Sequence, residues 1–239
     1  MIELMSRIDY SASAGTTLWH RASALAKLIV AVALVGLAVF ASGLRLLAVL
    51  HALAWSLALS SRLPARLVAA AAFYPLAFTL LFVIGRWDGG WRTPLTLVLR
   101  PLTASLTAVW LVGTTPTPDL FAPVSRLLPR DAADALFLTY RALFELLGRT
   151  ERLWRALRLR GGGSGPARRR LALAGEGVGT LVLYGFERSQ RLVATMGLRG
   201  HSGRICGCRH YAEWACEDLA VAFIGALTLM SAALLWRAG

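Results

Sequence analysis

Residues 24–60 read ALAKLIVAVALVGLAVFASGLRLLAVLHALAWSLALS. Two apolar runs, Ala24 to Ala41 and Leu44 to Ser60, stand back to back, parted only by Ser42-Gly43. A helix needs about 20 apolar residues to cross the hydrocarbon core of a bilayer. Each run approaches that length, and the Ser-Gly break turns the chain straight back. The pair reads as a transmembrane helical hairpin, the conformation that leaves no backbone group unpaired in lipid.

Composition extends this reading to the whole chain. Of 239 residues, 56% are hydrophobic and 16% charged, and the mean hydropathy is +0.58. A soluble domain of this size cannot enclose that much apolar surface in one core. The expected fold is an all-α membrane protein with about five transmembrane helices and long amphipathic cytoplasmic helices. The run at Ala24 lies behind a polar stretch holding Glu3 and Asp9 and is followed by further spans. It is therefore expected to be a permanent helix and not a cleaved signal.

Beyond Ser60, the loop Ser61-Arg62-Leu63-Pro64-Ala65-Arg66 leads to a third span, about Leu67 to Gly85, which Pro75 is expected to kink. Trp87 and Trp91 in the next loop suit a water–lipid boundary. The fourth span, about Leu95 to Gly113, carries Arg100 near one end, where the side chain is expected to snorkel to the interface; a polar contact to a partner is the alternative. The last span is about Leu219 to Trp236.

Between the fourth and last spans the period changes. From Asp131 to Arg160, Leu136, Tyr140, Leu143 and Leu147 form an apolar stripe, and Arg141, Glu145, Arg149, Arg152 and Arg155 an opposing polar one. That is an amphipathic helix lying on a surface, with Glu145–Arg149 and Glu151–Arg155 expected as pairs four residues apart. It ends at Gly161-Gly162-Gly163-Ser164-Gly165-Pro166. A second helix runs from about Arg168 to Arg199. Its apolar middle, Leu171 to Phe186, holds four glycines and Glu176, so a packed or surface helix is expected and a sixth span is the alternative. The divisions are 1–113 for a four-span region, 114–217 for the cytoplasmic amphipathic helices and 218–239 for the final span.

The formal charge of +13 gathers in this middle block. Positive loops stay on the cytoplasmic side. The block, the N-terminus and the Arg62/Arg66 loop are therefore inside, the Trp87/Trp91 loop and the C-terminus outside. Charge interleaved with spans speaks for a membrane orientation signal and against nucleic-acid binding. Three cysteines, Cys206, Cys208 and Cys216, fit a reducing cytoplasm. Cys206 and Cys208 with His210, and with Cys216 or His201, have metal-ligand types, but their spacing is read as ordinary thiols. No metal site and no cofactor are expected. Gly161 to Gly165 lacks the Lys-Ser/Thr of a nucleotide loop.

The most informative feature is a repeat. Arg152-Leu153-Trp154-Arg155-Ala156-Leu157-Arg158-Leu159-Arg160-Gly161 aligns with Arg191-Leu192-Val193-Ala194-Thr195-Met196-Gly197-Leu198-Arg199-Gly200. Each copy closes an amphipathic helix at an Arg-Gly end. Glycine can take the left-handed conformation past a helix end, and an Arg in the last turn is favoured by the helix dipole and projects a planar five-donor fork. The two ends are expected to form two cationic plugs on one platform.

With these motifs, the chain resembles the T-component family of energy-coupling factor (ECF) transporters, the CbiQ/EcfT family. Family members are similar to it in order: four spans, cytoplasmic coupling helices ending in Ala-Arg-Gly-like motifs, then a last span. His20-Arg21 and Lys27-Leu28 also resemble the family's opening. The family's second motif, Ala-Met-x-x-Arg-Gly, corresponds to Thr195-Met196-Gly197-Leu198-Arg199-Gly200, and the first to Ala156-Leu157-Arg158-Leu159-Arg160-Gly161. Leu159 and Leu198 stand where Ala is usual, and Thr195 replaces Ala before Met. The resemblance implies partners: two cytoplasmic ABC ATPase subunits, whose acidic grooves receive Arg160 and Arg199, and a small substrate-binding membrane subunit (S component). It implies a place in the cell inner membrane and uptake of cobalt, nickel or a vitamin, with no chemistry in this chain. The alternative is a membrane-embedded enzyme such as a lipid-modifying transferase, which would need polar residues clustered at a membrane face. A conventional importer permease is disfavoured by the two-helix platform.

Overall fold

The computed structural model describes residues 12–41, 43–85, 90–161, 165–201 and 216–236. It is 86% helical, with no strand among the described residues, which fixes the class as all-α. After a single turn, α1 (Leu18–Arg21), come α2 (Ala24–Phe40), α3 (Leu44–Ser60), α4 (Ala65–Gly85) and α5 (Arg92–Thr114). Then follow α6 (Thr117–Ser125), α7 (Arg130–Leu159), α8 (Ala167–Leu198) and α9 (Asp218–Trp236). The chain divides into two compact units. One holds the segments up to Pro123 together with Cys208–Gly239; the other holds Val124–Gly207.

In the first unit, α5 packs against α2, α3 and α4, while α9 packs against α2 and α3. The core comprises Leu34, Leu46, Leu47, Leu50, Leu57 and Trp110, all essentially inaccessible. Facing them, α5 carries Thr103, Thr107 and Thr114, fully buried. Their hydroxyls donate to the carbonyls of Leu99 (2.8 Å), Thr103 (2.8 Å) and Trp110 (2.7 Å), one turn earlier. That local bond lets a hydroxyl sit in an apolar interior without an orphan donor. His51 of α3 joins the same face. Trp55 Nε1 donates to His51 Nε2 (3.0 Å), and His51 Nδ1 lies 3.1 Å from Thr103 Oγ1.

The outside of this unit is the reverse of a soluble surface. Tyr74, Phe78, Leu81, Phe82 and Ile84 of α4 project outward, as do Phe223, Leu229, Met230 and Leu234 of α9. Lipid is the solvent that accepts such a face. Two helices, over Val68–Gly85 and Arg92–Thr114, are long and apolar enough to cross a membrane. Three shorter apolar helices, Ala24–Phe40, Leu44–Ser60 and Asp218–Leu234, accompany them. At 17 residues, α2 and α3 each measure about 25 Å, against a hydrocarbon core of about 30 Å.

Two long-range bonds tie the helix ends. The buried Lys27 ammonium donates to the carbonyls of Trp19 (2.9 Å) and Thr114 (3.1 Å). Ser23, the N-cap of α2, donates its backbone N–H to Asp218 Oδ1 at 2.6 Å. The N-terminus of α2, the C-terminus of α5 and the N-terminus of α9 therefore meet at one end of the unit. Arg100 differs from expectation. Its Nη2 donates to the Ala41 carbonyl at 2.6 Å, closing the C-terminus of α2 instead of reaching outward. A guanidinium satisfies an orphan helix-end carbonyl and its partial negative charge together.

Candidate functional site

The second unit is the α7–α8 pair. Its two helices run antiparallel. Gly177 of α8 is buried, with Leu153 and Leu157 of α7 against it. Further along, Gly185 meets Leu146. At these two places the apolar run of α8 lies against α7 leucines, at a distance where a Cβ would make ordinary van der Waals contact.

Glu145 anchors the polar part of this contact. Its carboxylate accepts from Tyr184 Oη at 2.8 Å and from Arg188 Nη2 at 3.1 Å. The Arg149 guanidinium lies 3.7 Å from the Tyr184 ring centroid, a cation–π contact. The hydrogen bond from Tyr184 and the charge of Arg188 hold the Glu145 carboxyl below its usual value. The expected Glu145–Arg149 pair is therefore replaced: both side chains turn to α8 because Tyr184 offers a donor to one and a ring face to the other. Glu151–Arg155 does form, at 2.5 Å, and Glu187–Arg191 forms similarly at 3.2 Å. Of the apolar stripe, Leu136, Tyr140 and Leu147 are half-buried and Leu143 is exposed.

The two Arg-Gly ends are built alike. In α8, Arg199 is the C-cap and Gly200 has φ +71°. His201 N–H donates to the Met196 carbonyl (3.0 Å) and Gly200 N–H to the Gly197 carbonyl (3.1 Å). This is the two-bond Schellman closure. In α7, Arg160 is the C-cap and Gly161 has φ +78°, and Gly161 N–H donates to the Arg158 carbonyl (3.1 Å), matching the second of those bonds. Arg160 N–H itself returns to the Ala156 carbonyl (3.1 Å).

The repeat also matches in environment. Leu153 and Leu192 are half-buried, as are Leu157 and Met196. Leu159 and Leu198, each just before the terminal Arg, are 88% and 89% exposed. Arg160 and Arg199 are both exposed, and among the described residues neither side chain has a hydrogen-bond or ion-pair partner. Arg152 is exposed likewise, whereas Arg191 is held by Glu187. Each helix end therefore displays an apolar side chain and a guanidinium side by side.

What the fold does not do is bring the two ends together. An antiparallel pair places them at opposite ends, and α8, at 32 residues, measures about 48 Å. The two Arg-Gly ends thus stand about a helix length apart.

Among the described residues no group of His, Cys, Asp and Glu is arranged to hold a metal ion. Cys206, Cys208 and His210 lie outside the described residues, as does Trp87, and Cys216 is exposed. Sequence reasoning missed the Lys27 clasp, whose only signal was a lysine set three residues inside an apolar helix. It also missed α6, masked by Pro118 and Pro123.

A family model described as CbiQ, cobalt transport protein, matches residues 15–208. That stretch takes in the apolar helices α2 to α5 and both Arg-Gly ends. No curated protein matches the chain.

Proposed function

Since the chain belongs to the CbiQ family of cobalt transport proteins, the T-component family of ECF transporters, we propose that it is the coupling subunit of such an importer. In this reading it is a multi-pass protein of the cell inner membrane with five spans, α2 to α5 and α9. It performs no chemistry, and the α7–α8 pair is its cytoplasmic lever. Two ABC ATPase subunits hold Arg160-Gly161 and Arg199-Gly200. Their ATP-driven approach displaces the two helix ends relative to each other. That motion reaches a substrate-binding membrane subunit, which delivers a transition metal ion, cobalt before nickel on the family's description; a vitamin is the other cargo class.

The observation that carries this reading is the matched pair of helix ends. Each has a left-handed glycine, a free guanidinium and an exposed leucine, and they are far enough apart to reach two bodies. Opposite charge in the ATPase grooves would let each guanidinium bind a carboxylate bidentately. Truncating one partner of a buried charge pair costs about 2–5 kcal/mol at an interface, and two linked sites multiply.

The test compares Arg160→Ala with Arg199→Ala, singly and together, against Arg168→Gln with Arg169→Gln. Cobalt uptake and recovery of the ATPases with the purified subunit are measured in each. Single variants should weaken recovery and the double variant should abolish uptake with membrane insertion intact. Full uptake by the double variant, or equal loss in the control, would end the assignment.

A further inference from the structure

At the elbow where α7 gives way to α8, the second unit holds a cavity of about 460 Å³. Its walls include Trp154, Leu157 and Arg158 of α7 and Arg170, Leu171 and Leu173 of α8, and no carboxylate lines it. Arg158 leans toward the Trp154 ring, 5.8 Å from its centroid. Among the described residues neither Arg158 nor Arg170 has an ion-pair partner. The Arg-Glu pairs of this unit use other arginines: Arg155, Arg188 and Arg191.

We propose that this cavity is a binding site for the headgroup of an anionic phospholipid, with the phosphate between Arg158 and Arg170 and the glycerol and first acyl carbons against Trp154, Leu157 and Leu171. Two unpaired guanidiniums on facing helices make a phosphate clamp, because each fork can offer parallel N–H donors to one anion. A free phosphate would use that clamp alone. The rest of the wall is apolar and open: Trp154 is 52% and Leu171 76% exposed. A tryptophan and leucines beside arginines form the composition of an interfacial site, where apolar atoms enter the acyl boundary and cations meet headgroups. Charge and apolar wall together select an amphiphile carrying a phosphate. The site lies within one turn of Arg160, so an occupied cavity would brace the helix end proposed to couple. Lipid retention is nevertheless independent of that coupling, and either can fail without the other.

The experiment uses the full chain in mixed micelles of phosphatidylglycerol and phosphatidylcholine, with retained lipid read by native mass spectrometry. The wild-type chain should retain phosphatidylglycerol over phosphatidylcholine by roughly thirtyfold, as expected for two basic contacts. In Arg158→Gln with Arg170→Gln the preference should fall to parity, at unchanged helicity by circular dichroism. Arg168→Gln with Arg169→Gln removes equal charge from the same elbow outside the cavity and should keep the preference. Trp154→Ala, which keeps both charges, should lower retention. The proposal is overturned if the wild type shows no preference, if the cavity variant keeps it, or if the control pair loses it equally. Unchanged retention in Trp154→Ala, or full displacement of the lipid by excess inorganic phosphate, assigns the site to a free anion and overturns it as well.

Discussion

The Lys27 ammonium reaches across to the Thr114 carbonyl at 3.1 Å, linking residues 87 positions apart. The same ammonium caps the Trp19 carbonyl at 2.9 Å. One side chain thereby joins the entry of α2 to the exit of α5, beside the start of α9. Lys27→Met keeps the apolar stem and removes the charge. It leaves two carbonyls without this donor, at about 1–3 kcal/mol for each buried group left unmade. The expected result is a lower thermal midpoint in detergent with unchanged helicity. An unchanged midpoint would mean that the clasp is energetically idle.

Gly200 and Gly161 hold left-handed backbone at the two helix ends. An L side chain there costs about 1–2 kcal/mol, enough to fray the final turn and let the adjacent Arg swing. Gly200→Ala should weaken ATPase recovery less than Arg199→Ala does. Gly200→Asn should restore it, since asparagine tolerates this conformation. Equal behaviour of the alanine and asparagine variants would argue against backbone geometry as the cause.

Glu145 gives the α7–α8 contact a pH dependence of defined sign. Its carboxyl is held low in the folded protein by Tyr184 first and Arg188 next. Its stabilisation is therefore complete above about pH 4.3, the unfolded value, and is lost as pH falls through the lowered folded value. Spin labels on α7 and α8 should report separation of the pair in that acid window. Glu145→Gln should flatten the dependence, and an acid transition of wild-type size in the glutamine variant would place the titrating group elsewhere.

At Gly177 the geometry discriminates between two substitutions. A Cβ there would meet Leu153 Cδ2 and Leu157 Cδ1 at 3.4 Å, the ends of flexible side chains. Gly177→Ala should be neutral or stabilising, because alanine gains about 1 kcal/mol of helix propensity over glycine. Gly177→Leu must drive the helices apart, since overpacking costs typically about 1–3 kcal/mol. The thermal midpoint should hold or rise in the alanine variant and fall in the leucine variant, and a destabilised alanine variant would show a tighter crossing than this geometry allows.

Topology is open to a direct check. With Cys206, Cys208 and Cys216 replaced by serine, single cysteines are placed at Gly43, Gly179 and Leu234. The five-span reading predicts that Gly43 and Leu234 label from outside and Gly179 from the cytoplasm. A cytoplasmic Leu234 would overturn the count.

What the sequence by itself determined was local. The bounds of α3 and of the last apolar helix were legible because apolar runs end where Gly, Ser, Pro or a charged residue interrupts them. The two Arg-Gly terminations were legible because a helix end is set by a handful of successive backbone groups. Tertiary structure decided everything that depends on which helix lies beside which. Lys27 chose Thr114, Ser23 chose Asp218 across 195 positions, and Glu145 preferred Tyr184 and Arg188 to its helical neighbour Arg149. No periodicity encodes these choices, because a side chain's partners four residues away compete with groups that only packing brings near. The separation of Arg160 from Arg199 was hidden for the same reason. The repeat fixes that two ends are alike, but only the antiparallel closure of α7 on α8 at Gly177 sends them to opposite ends.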